Sequence, residues 1–142
     1  MTGATSTRVK DLPRRVRVLI ADDQPIIRKI VRSTLQIHPH FEVCGEAENG
    51  LVAIEEAKKL KPDVVILNIT MPVLNGFEAA REIRTELPES AIVILSSNAD
   101  QHFVEEAKKI GVRAYVSKTK AGEALVKAIE AAVLGEDFVL IR

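Results

Sequence analysis

Short apolar runs alternate with amphipathic segments along most of the chain. Runs such as Val64–Leu67 lack the alternation of half-exposed strands, which favours strands buried on both faces. The segments between them carry apolar residues at helical spacing, as at Ile27, Val31 and Leu35. Strand followed by helix, repeated five times, predicts one α/β domain with helices on both faces of a parallel sheet. The predicted strands are 16–21, 41–47, 64–67, 91–95 and 114–117.

Composition divides the chain into three parts. Residues 1–15 are polar, and we expect a disordered N-terminal segment there. Residues 16–134 carry the strand and helix pattern and form the domain. Residues 135–142 are a tail or the start of a linker, with a short apolar run at Phe138–Ile141. That run either packs back on the domain or contributes to a dimer contact.

The overall composition excludes several classes of protein. The 142 residues suit one domain with a single sizeable core, and 20 basic residues balance 20 acidic ones. This balance argues against direct nucleic-acid binding, which needs a concentrated basic face. Cys44 is alone, so we expect a buried small hydrophobe rather than a disulfide or metal ligand. No segment predicts a membrane span or signal peptide, which makes the cytoplasm the expected location.

Polar residues with chemical potential follow four of the predicted strands. Asp22 and Asp23 follow the first, Asn68 the third, Ser96 ends the fourth and Lys118 follows the fifth. Each has an ordinary explanation alone, such as a helix cap or a surface lysine. The ends of parallel strands face one crevice in which ligands bind. Their order on separate strand-helix units therefore favours a single shared site.

The adjacent carboxylates favour a cation at this site. Asp22 and Asp23 repel each other, and such a pair is stable near a cation or a helix N-terminus. Mg²⁺ prefers oxygen ligands and keeps several waters. Two acids, an oxygen at position 68 and a backbone carbonyl would suit it.

These motifs resemble those of receiver domains in bacterial two-component response regulators. The residues that carry the resemblance are IADD at 20–23, PDVVILNITMP at 62–72 with Gly76, VILSS at 93–97 and AYVSK at 114–118. The resemblance implies a flavodoxin-like receiver fold, a doubly wound five-stranded parallel sheet with strand order 2-1-3-4-5. Residues 121–125 also resemble receivers of helix-turn-helix transcription factors. The chain is therefore either a single-domain regulator or the excised receiver of a transcription regulator.

The resemblance assigns roles around position 68, which is normally an aspartate that accepts a phosphoryl group. The donor is a histidine kinase or phosphotransfer protein. By resemblance, Asp23 is a direct Mg²⁺ ligand and Asp22 acts mainly through water. The backbone carbonyl of Thr70 is a third protein ligand.

The resemblance also assigns a switch. Ser96 and Lys118 contact the phosphoryl oxygens, and Tyr115 is the aromatic residue that swings as Ser96 moves. The surface of the fourth helix, fifth strand and fifth helix then reports the state to a partner or to a second copy in a homodimer. The first helix, residues 26–35, sets the choice of kinase.

Asn68 departs from the family pattern. A neutral amide is a poor nucleophile, so the chain is predicted to be incompetent for phosphorylation. Mg²⁺ loses one negative ligand, and we expect weakened binding. Lys118 is expected to donate a hydrogen bond to the amide oxygen of Asn68. The loss of one charge beside Asp22 and Asp23 predicts metal-free stability at least equal to that of the Asn68→Asp variant.

Alternative interpretations stay open at this point. Asn68 is either an engineered substitution or natural, and a natural form would be a pseudo-receiver that binds proteins independently of phosphate. An enzyme of similar topology, phosphatase-like or flavin-binding, is disfavoured. The first strand lacks a glycine-rich phosphate cradle, and the short chain leaves little room for a cap over Asp22. A signalling module without enzyme activity is the prediction.

Overall fold

The computed structural model describes residues 15–142. The prediction of disorder for residues 1–15 lies outside the described residues, apart from Arg15. Strands and helices alternate through the described chain. The strands are β1 (Val16–Ala21), β2 (Phe41–Ala47), β3 (Val64–Leu67), β4 (Ala91–Ser96), β5 (Ala114–Ser117) and β6 (Val139–Ile141). The helices are α1 (Pro25–Gln36), α2 (Gly50–Leu60), α3 (Gly76–Glu86), α4 (Gln101–Ile110) and α5 (Glu123–Val133), with a 3₁₀ turn at Lys118–Lys120.

The strands form one parallel sheet in the order β2-β1-β3-β4-β5-β6. This confirms the predicted α/β fold, but the prediction of five strands is wrong. The sixth strand is the apolar run of the tail, which pairs with β5 through Ala114↔Val139 and Val116↔Ile141. The backbone N–H of Val139 donates to the carbonyl of Arg113 at 3.2 Å. The run packs on its own domain because its apolar side chains complete both cores at the β5 edge.

Two hydrophobic cores lie on opposite faces of the sheet. Val64 and Ile66 of β3 point to the core beneath α1 and α5, whereas Val65 and Leu67 point to the core beneath α2, α3 and α4. All four side chains are buried, because the central strand is covered on both faces. The edge strand β2 is less covered, and its Cys44 is half-buried rather than buried. Burial still raises the pKa of the Cys44 thiol.

Turn and cap chemistry determines where three of the helices begin. Pro25 begins α1. The Asn49 side chain accepts a hydrogen bond from the backbone of Val52 at the start of α2. Asn75 and Glu78 form a reciprocal capping box at the start of α3. These caps fix where the chain leaves the carboxyl edge of the sheet.

The loop between β3 and α3 is held tightly against the end of β3. The backbone N–H of Gly76 donates to the carbonyl of Ile69 at 2.7 Å. A Cβ atom at Gly76 would lie 2.0 Å from the backbone oxygen of Asn68, which leaves space for glycine alone. Gly50 donates to Leu74 at 3.0 Å at the other end of the loop. The backbone around Asn68 is therefore fixed from two sides.

We expect Gly76→Ala to destabilise the domain by about 3 kcal/mol, because the new methyl meets rigid backbone. Helix propensity alone would favour alanine over glycine by about 1 kcal/mol. A net loss of folding stability must therefore come from the steric clash. The control is Gly45→Ala, whose Cβ would meet the flexible end of the Leu60 side chain at 2.7 Å. Urea unfolding should give a clearly larger loss for Gly76→Ala; equal losses would contradict the close approach.

Candidate functional site

Four strand ends meet in one cleft of about 380 Å³ at the carboxyl edge of the sheet. The register Ala21↔Leu67 and Leu67↔Ile94 aligns β1, β3 and β4, and Ser96↔Ser117 aligns β5. The cleft is lined by the predicted residues Asp23, Asn68, Thr70, Ser96 and Lys118, together with Gln24, Ile69, Ser97, Asn98 and Phe103. The remaining predicted residues, Asp22 and Tyr115, are buried and contact groups of this cleft.

The side chain of Asn68 is a hydrogen-bond donor to two oxygens of the cleft. Its Nδ2 donates to the carbonyl of Thr70 at 2.7 Å and to Oδ1 of Asp23 at 3.3 Å. A backbone carbonyl can only accept, so the amide group that faces Thr70 must be the NH₂. Asn68 is only 7% exposed, which strengthens the need to satisfy its polar atoms. The amide thus occupies two oxygens that the resemblance assigns to Mg²⁺.

Lys118 pairs with Asp22 instead of Asn68. Its Nζ lies 3.0 Å from Oδ2 of Asp22 and donates to Oε1 of Gln24 at 3.1 Å. The predicted bond from Lys118 to the amide oxygen of Asn68 is therefore replaced. A buried carboxylate needs a cationic partner more than a neutral amide does, which explains the preference.

Asp22 is 2% exposed, and burial raises the pKa of its carboxyl group. The backbone N–H of Gln24 and the ammonium of Lys118 offset part of this effect, while the nearby Asp23 carboxylate adds to it. A carboxyl whose pKa is higher in the folded state stabilises the fold at low pH. That contribution is lost as pH rises through the folded-state pKa. Ionising Asp22 therefore costs more free energy in the folded protein than in the unfolded chain.

Two buried hydroxyl groups hold the loop that follows β4. Oγ of Ser96 accepts from the backbone N–H of Asn98 at 3.1 Å. The hydroxyl of Tyr115 donates a short hydrogen bond to the carbonyl of the same residue, Asn98. Burial raises the pKa of Tyr115, whose side chain has no exposed surface. Ser96 and Tyr115 thus fix one loop residue, while their role as a switch stays a prediction.

Two further residues support the acidic loop from α1 and β2. The guanidinium of Arg28 donates to the backbone carbonyl of Asp22 at 2.6 Å and to Glu46 at 2.8 Å. Arg32 also pairs with Glu46 at 2.6 Å. Sequence reasoning missed Arg28, Glu46 and Gln24. Only Gln24 had a signal, since it directly follows the two aspartates.

The cleft fits Mg²⁺ poorly with asparagine at position 68. Within residues 15–142, no group of three or more His, Cys, Asp or Glu side chains is arranged to hold a metal ion. The Asp23 carboxylate and the Thr70 carbonyl both accept from the Asn68 NH₂. Mg²⁺ takes oxygen ligands, so binding would require this amide to turn away.

The sequence profile of the response regulator receiver domain matches residues 18–130. The transcriptional regulatory protein YxjL of Bacillus subtilis is 38% identical over 122 residues, which is 86% of this chain and 56% of that protein. The chemotaxis protein CheY of Thermotoga maritima is 38% identical over 80% of this chain and 93% of its own length. The chain spans about half the length of the transcriptional regulators it matches.

Solved structures agree with the sequence matches. A two-component response regulator of the LuxR family from Aurantimonas sp. gives a TM-score of 0.82 at 31% identity, covering 87% of this chain and 89% of that one. The non-phosphorylated receiver domain of RcsB from Escherichia coli gives 0.81 at 27% identity, covering 88% and 98%. Many of the relatives are transcriptional regulators, and the absence of enzyme activity stays a prediction. Among the described residues, no helix is long and apolar enough to cross a membrane.

We expect the metal-free Asn68→Asp variant to be less stable than the chain with Asn68 by about 1–3 kcal/mol. An aspartate in the same position places a carboxylate oxygen against Thr70 and Asp23 in place of the NH₂ donor. Urea unfolding in EDTA measures the loss, and added Mg²⁺ should restore stability only to the variant. The control is Asn49→Asp, because Asn49 uses its side-chain oxygen as an acceptor. Equal stability of both Asn68 forms in EDTA would contradict the donor role.

A second expectation concerns Glu46. Burial alone would raise the pKa of Glu46, but hydrogen bonds from Arg32 and Arg28 outweigh it and lower the pKa below 4.5. A carboxyl with a lowered pKa stabilises the fold above its unfolded-state value and loses that contribution as pH falls through the folded-state value. Glu46→Gln should therefore destabilise the domain at pH 7, with a difference that shrinks below about pH 4.5. Glu55→Gln on the exposed face of α2 is the control, and a difference independent of pH would contradict this assignment.

Proposed function

Because the chain belongs to the family of response regulator receiver domains, we propose that it is a two-component receiver held unphosphorylated by Asn68. The observation that carries the proposal is the pair of hydrogen bonds from the Asn68 NH₂ to Thr70 and Asp23. These bonds give the Thr70 and Asp23 oxygens a hydrogen-bond donor from within the chain, without a bound ion. In receivers with aspartate at this position, a bound metal ion supplies the positive charge beside these oxygens, and the phosphoryl group on the aspartate adds negative charge.

Phosphoryl transfer needs a nucleophilic oxygen aligned with the transferred group, together with positively charged groups that neutralise the negative charge on its equatorial oxygens. Lys118 supplies an ammonium and Ser96 a hydroxyl, each from the end of a neighbouring strand. Asn68 lacks the anionic oxygen, because a carboxamide is neutral and its nitrogen lone pair is delocalised into the carbonyl group. The chain therefore retains the groups that would hold a phosphoryl group but lacks the acceptor.

Receiver domains generally bind Mg²⁺ beside the phosphorylation site, and we propose that this affinity is weakened here. Asp23 and the carbonyl of Thr70 are the oxygens that would hold the ion, with Asp22 acting through water. When bound, Mg²⁺ would neutralise negative charge around the phosphoryl oxygens. The Asn68 amide competes for the same two oxygens, and the paired Asp22 already faces Lys118.

Receiver domains interact with histidine kinases or other phosphodonors, and α1 is the proposed docking surface. Ile26 and Ile30 lie one turn apart on α1 and are 60% and 43% exposed. They follow the Asp22–Asp23 loop, so a partner seated on them would bring its phosphorylated group near position 68. A helical partner with its own apolar stripe fits this surface.

The whole protein is proposed to be a transcriptional regulator, since the chain corresponds to about half of relatives with that description. In this proposal the surface of α4, β5 and α5 reports the state of the cleft to a second copy or to another domain. In this proposal the chain itself makes no direct contact with nucleic acid.

A second candidate function is a phosphate-independent interaction module of the same fold. The observation that favours it is again the amide of Asn68, which satisfies the cleft without metal or phosphate. In that case α1 or the α4–β5–α5 surface binds a protein constitutively. The response of the Asn68→Asp variant to a phosphodonor distinguishes the two functions.

We expect Asn68→Asp to acquire one phosphoryl group from acetyl phosphate in the presence of Mg²⁺, whereas the chain with Asn68 acquires none. Intact mass and acid-labile phosphate measure this directly. Adding Lys118→Ala to the variant should reduce the rate by at least about tenfold, because the phosphoryl oxygens lose their ammonium partner. Asn75→Asp in the Asn68 background is the matched control and should stay unmodified. A folded Asn68→Asp variant that gains no phosphate would favour the interaction module.

A further inference from the structure

The sixth strand is fastened at both of its ends to α4. Nζ of Lys108, near the end of α4, lies 5.5 Å from the centre of the Phe138 ring, just before β6. The guanidinium of Arg142, just after β6, donates to the side chain of Gln101 at 2.9 Å. Gln101 is the first residue of α4. The strand therefore runs beside the helix in the opposite direction and is held near both helix ends.

The strand also belongs to both hydrophobic cores. Val139 and Ile141 pack against the core beneath α1 and α5, and Phe138 packs against the core beneath α4. Leu140 is 38% exposed and pairs in register with Tyr115 of β5. Phe138 and Tyr115 belong to the same core. A strand with this placement is part of the folded domain rather than a loose tail.

The start of α4 is tied to the cleft as well. The four residues 97–100 connect Ser96 to Gln101. Both the Ser96 hydroxyl and the Tyr115 hydroxyl bond to the backbone of Asn98 in that loop. A displacement at Ser96 must therefore move the loop, and the loop directly precedes the residue that holds Arg142.

The connection between α5 and β6 permits this strand to move independently of α5. Gly135 has φ +74°, a conformation that favours glycine, and it ends α5 with a hydrogen bond to Ala132 at 3.1 Å. Glu136 donates to Ala131 at 3.0 Å in the same reversal. The turn is thus fixed by hydrogen bonds to α5 itself, and these bonds do not involve β6.

We propose that β6, together with its flanking residues Phe138 and Arg142, is an output strand whose docking on β5 is thermodynamically linked to the position of the loop 97–100 and α4. The proposal deepens the proposed function, since it names how the state of the cleft reaches the end of the domain. Linkage is reciprocal: whatever moves the loop changes the docking of β6, and whatever weakens β6 loosens the loop.

The test in the resting chain uses amide hydrogen exchange followed by NMR. Phe138→Ala should speed exchange of the Val139 and Ile141 amides by about tenfold, and Arg142→Ala by about threefold. Both variants should also speed exchange within residues 97–104. Leu140→Ala is the matched control on the same strand, and it should change either region by less than about twofold, since its side chain is exposed.

Faster exchange in β6 with unchanged exchange in residues 97–104 would overturn the linkage. If Phe138→Ala fails to fold, Arg142→Ala and Gln101→Ala decide the question, because both remove one end of a solvent-exposed contact. Equal effects of Arg142→Ala and Gln101→Ala on β6 are expected, and the double variant should add little to either one. Fully additive effects would show that the two residues do not act through their shared contact.

A second test loads the Asn68→Asp variant with Mg²⁺ and beryllofluoride, a phosphoryl mimic. Binding is read from the Ser96 and Lys118 resonances, and exchange at Val139 and Ile141 should change by at least about threefold. Binding without any change in β6 would overturn the inference and leave the proposed function standing. No binding, with the resting-chain linkage intact, would overturn the proposed function and leave the linkage standing.

Discussion

The NH₂ group of Asn68, which donates to two oxygens at once, is the interaction on which the arrangement of the cleft depends. Its NH₂ bonds to Thr70 and Asp23, so the strand ends need no bound cation to bring these oxygens together. The ionisable groups at the cleft are then Asp22, Asp23 and Lys118, and Lys118 pairs with the buried Asp22. A third carboxylate at position 68 would face a carbonyl and a carboxylate with no proton to offer. The strand ends can therefore meet without a bound cation, because the NH₂ group of Asn68 donates to the oxygens that would otherwise need one.

Close to that group, the buried Asp22 carboxyl is costly to ionise. Burial raises the pKa of Asp22, so its ionised form is held at some expense of stability. Arg28 holds the Asp22 backbone, and Glu46 in turn holds Arg28, although none of these contacts is needed to fill a core. Buried charge with dedicated support is typical of functional sites rather than structural ones. The supporting contacts fit a receiver whose cleft remains organised while its acceptor is absent.

The sequence predicted those features that follow from parallel strand geometry. Apolar runs ending in Asp22, Asn68, Ser96 and Lys118 must bring these residues to one edge once the sheet is parallel. Features set by side-chain rotation could not be predicted from the sequence. The direction of the Asn68 amide, and the choice of Lys118 between Asn68 and Asp22, depend on side-chain dihedral angles that the order of residues does not specify. The sixth strand was missed for another reason. A run as short as Phe138–Ile141 has no periodicity that separates a strand from a linker, and its pairing partner lies more than twenty residues earlier.

The proposed linkage predicts which elements carry a signal away from the cleft. β5 is paired on both sides and buried on both faces, so any shift would break two ladders and two cores. α5 buries five residues, namely Leu125, Val126, Ala128, Ile129 and Ala132. α4 buries only Val104 and Ala107, and its ends are tied to β6 through one hydrogen bond and one cation–π contact. Elements with few buried apolar contacts open at lower free energy than the core does. The helix that directly follows the loop after Ser96 therefore buries fewer apolar residues than α5 does, and a movement of this helix would strain its two contacts with the residues that flank β6.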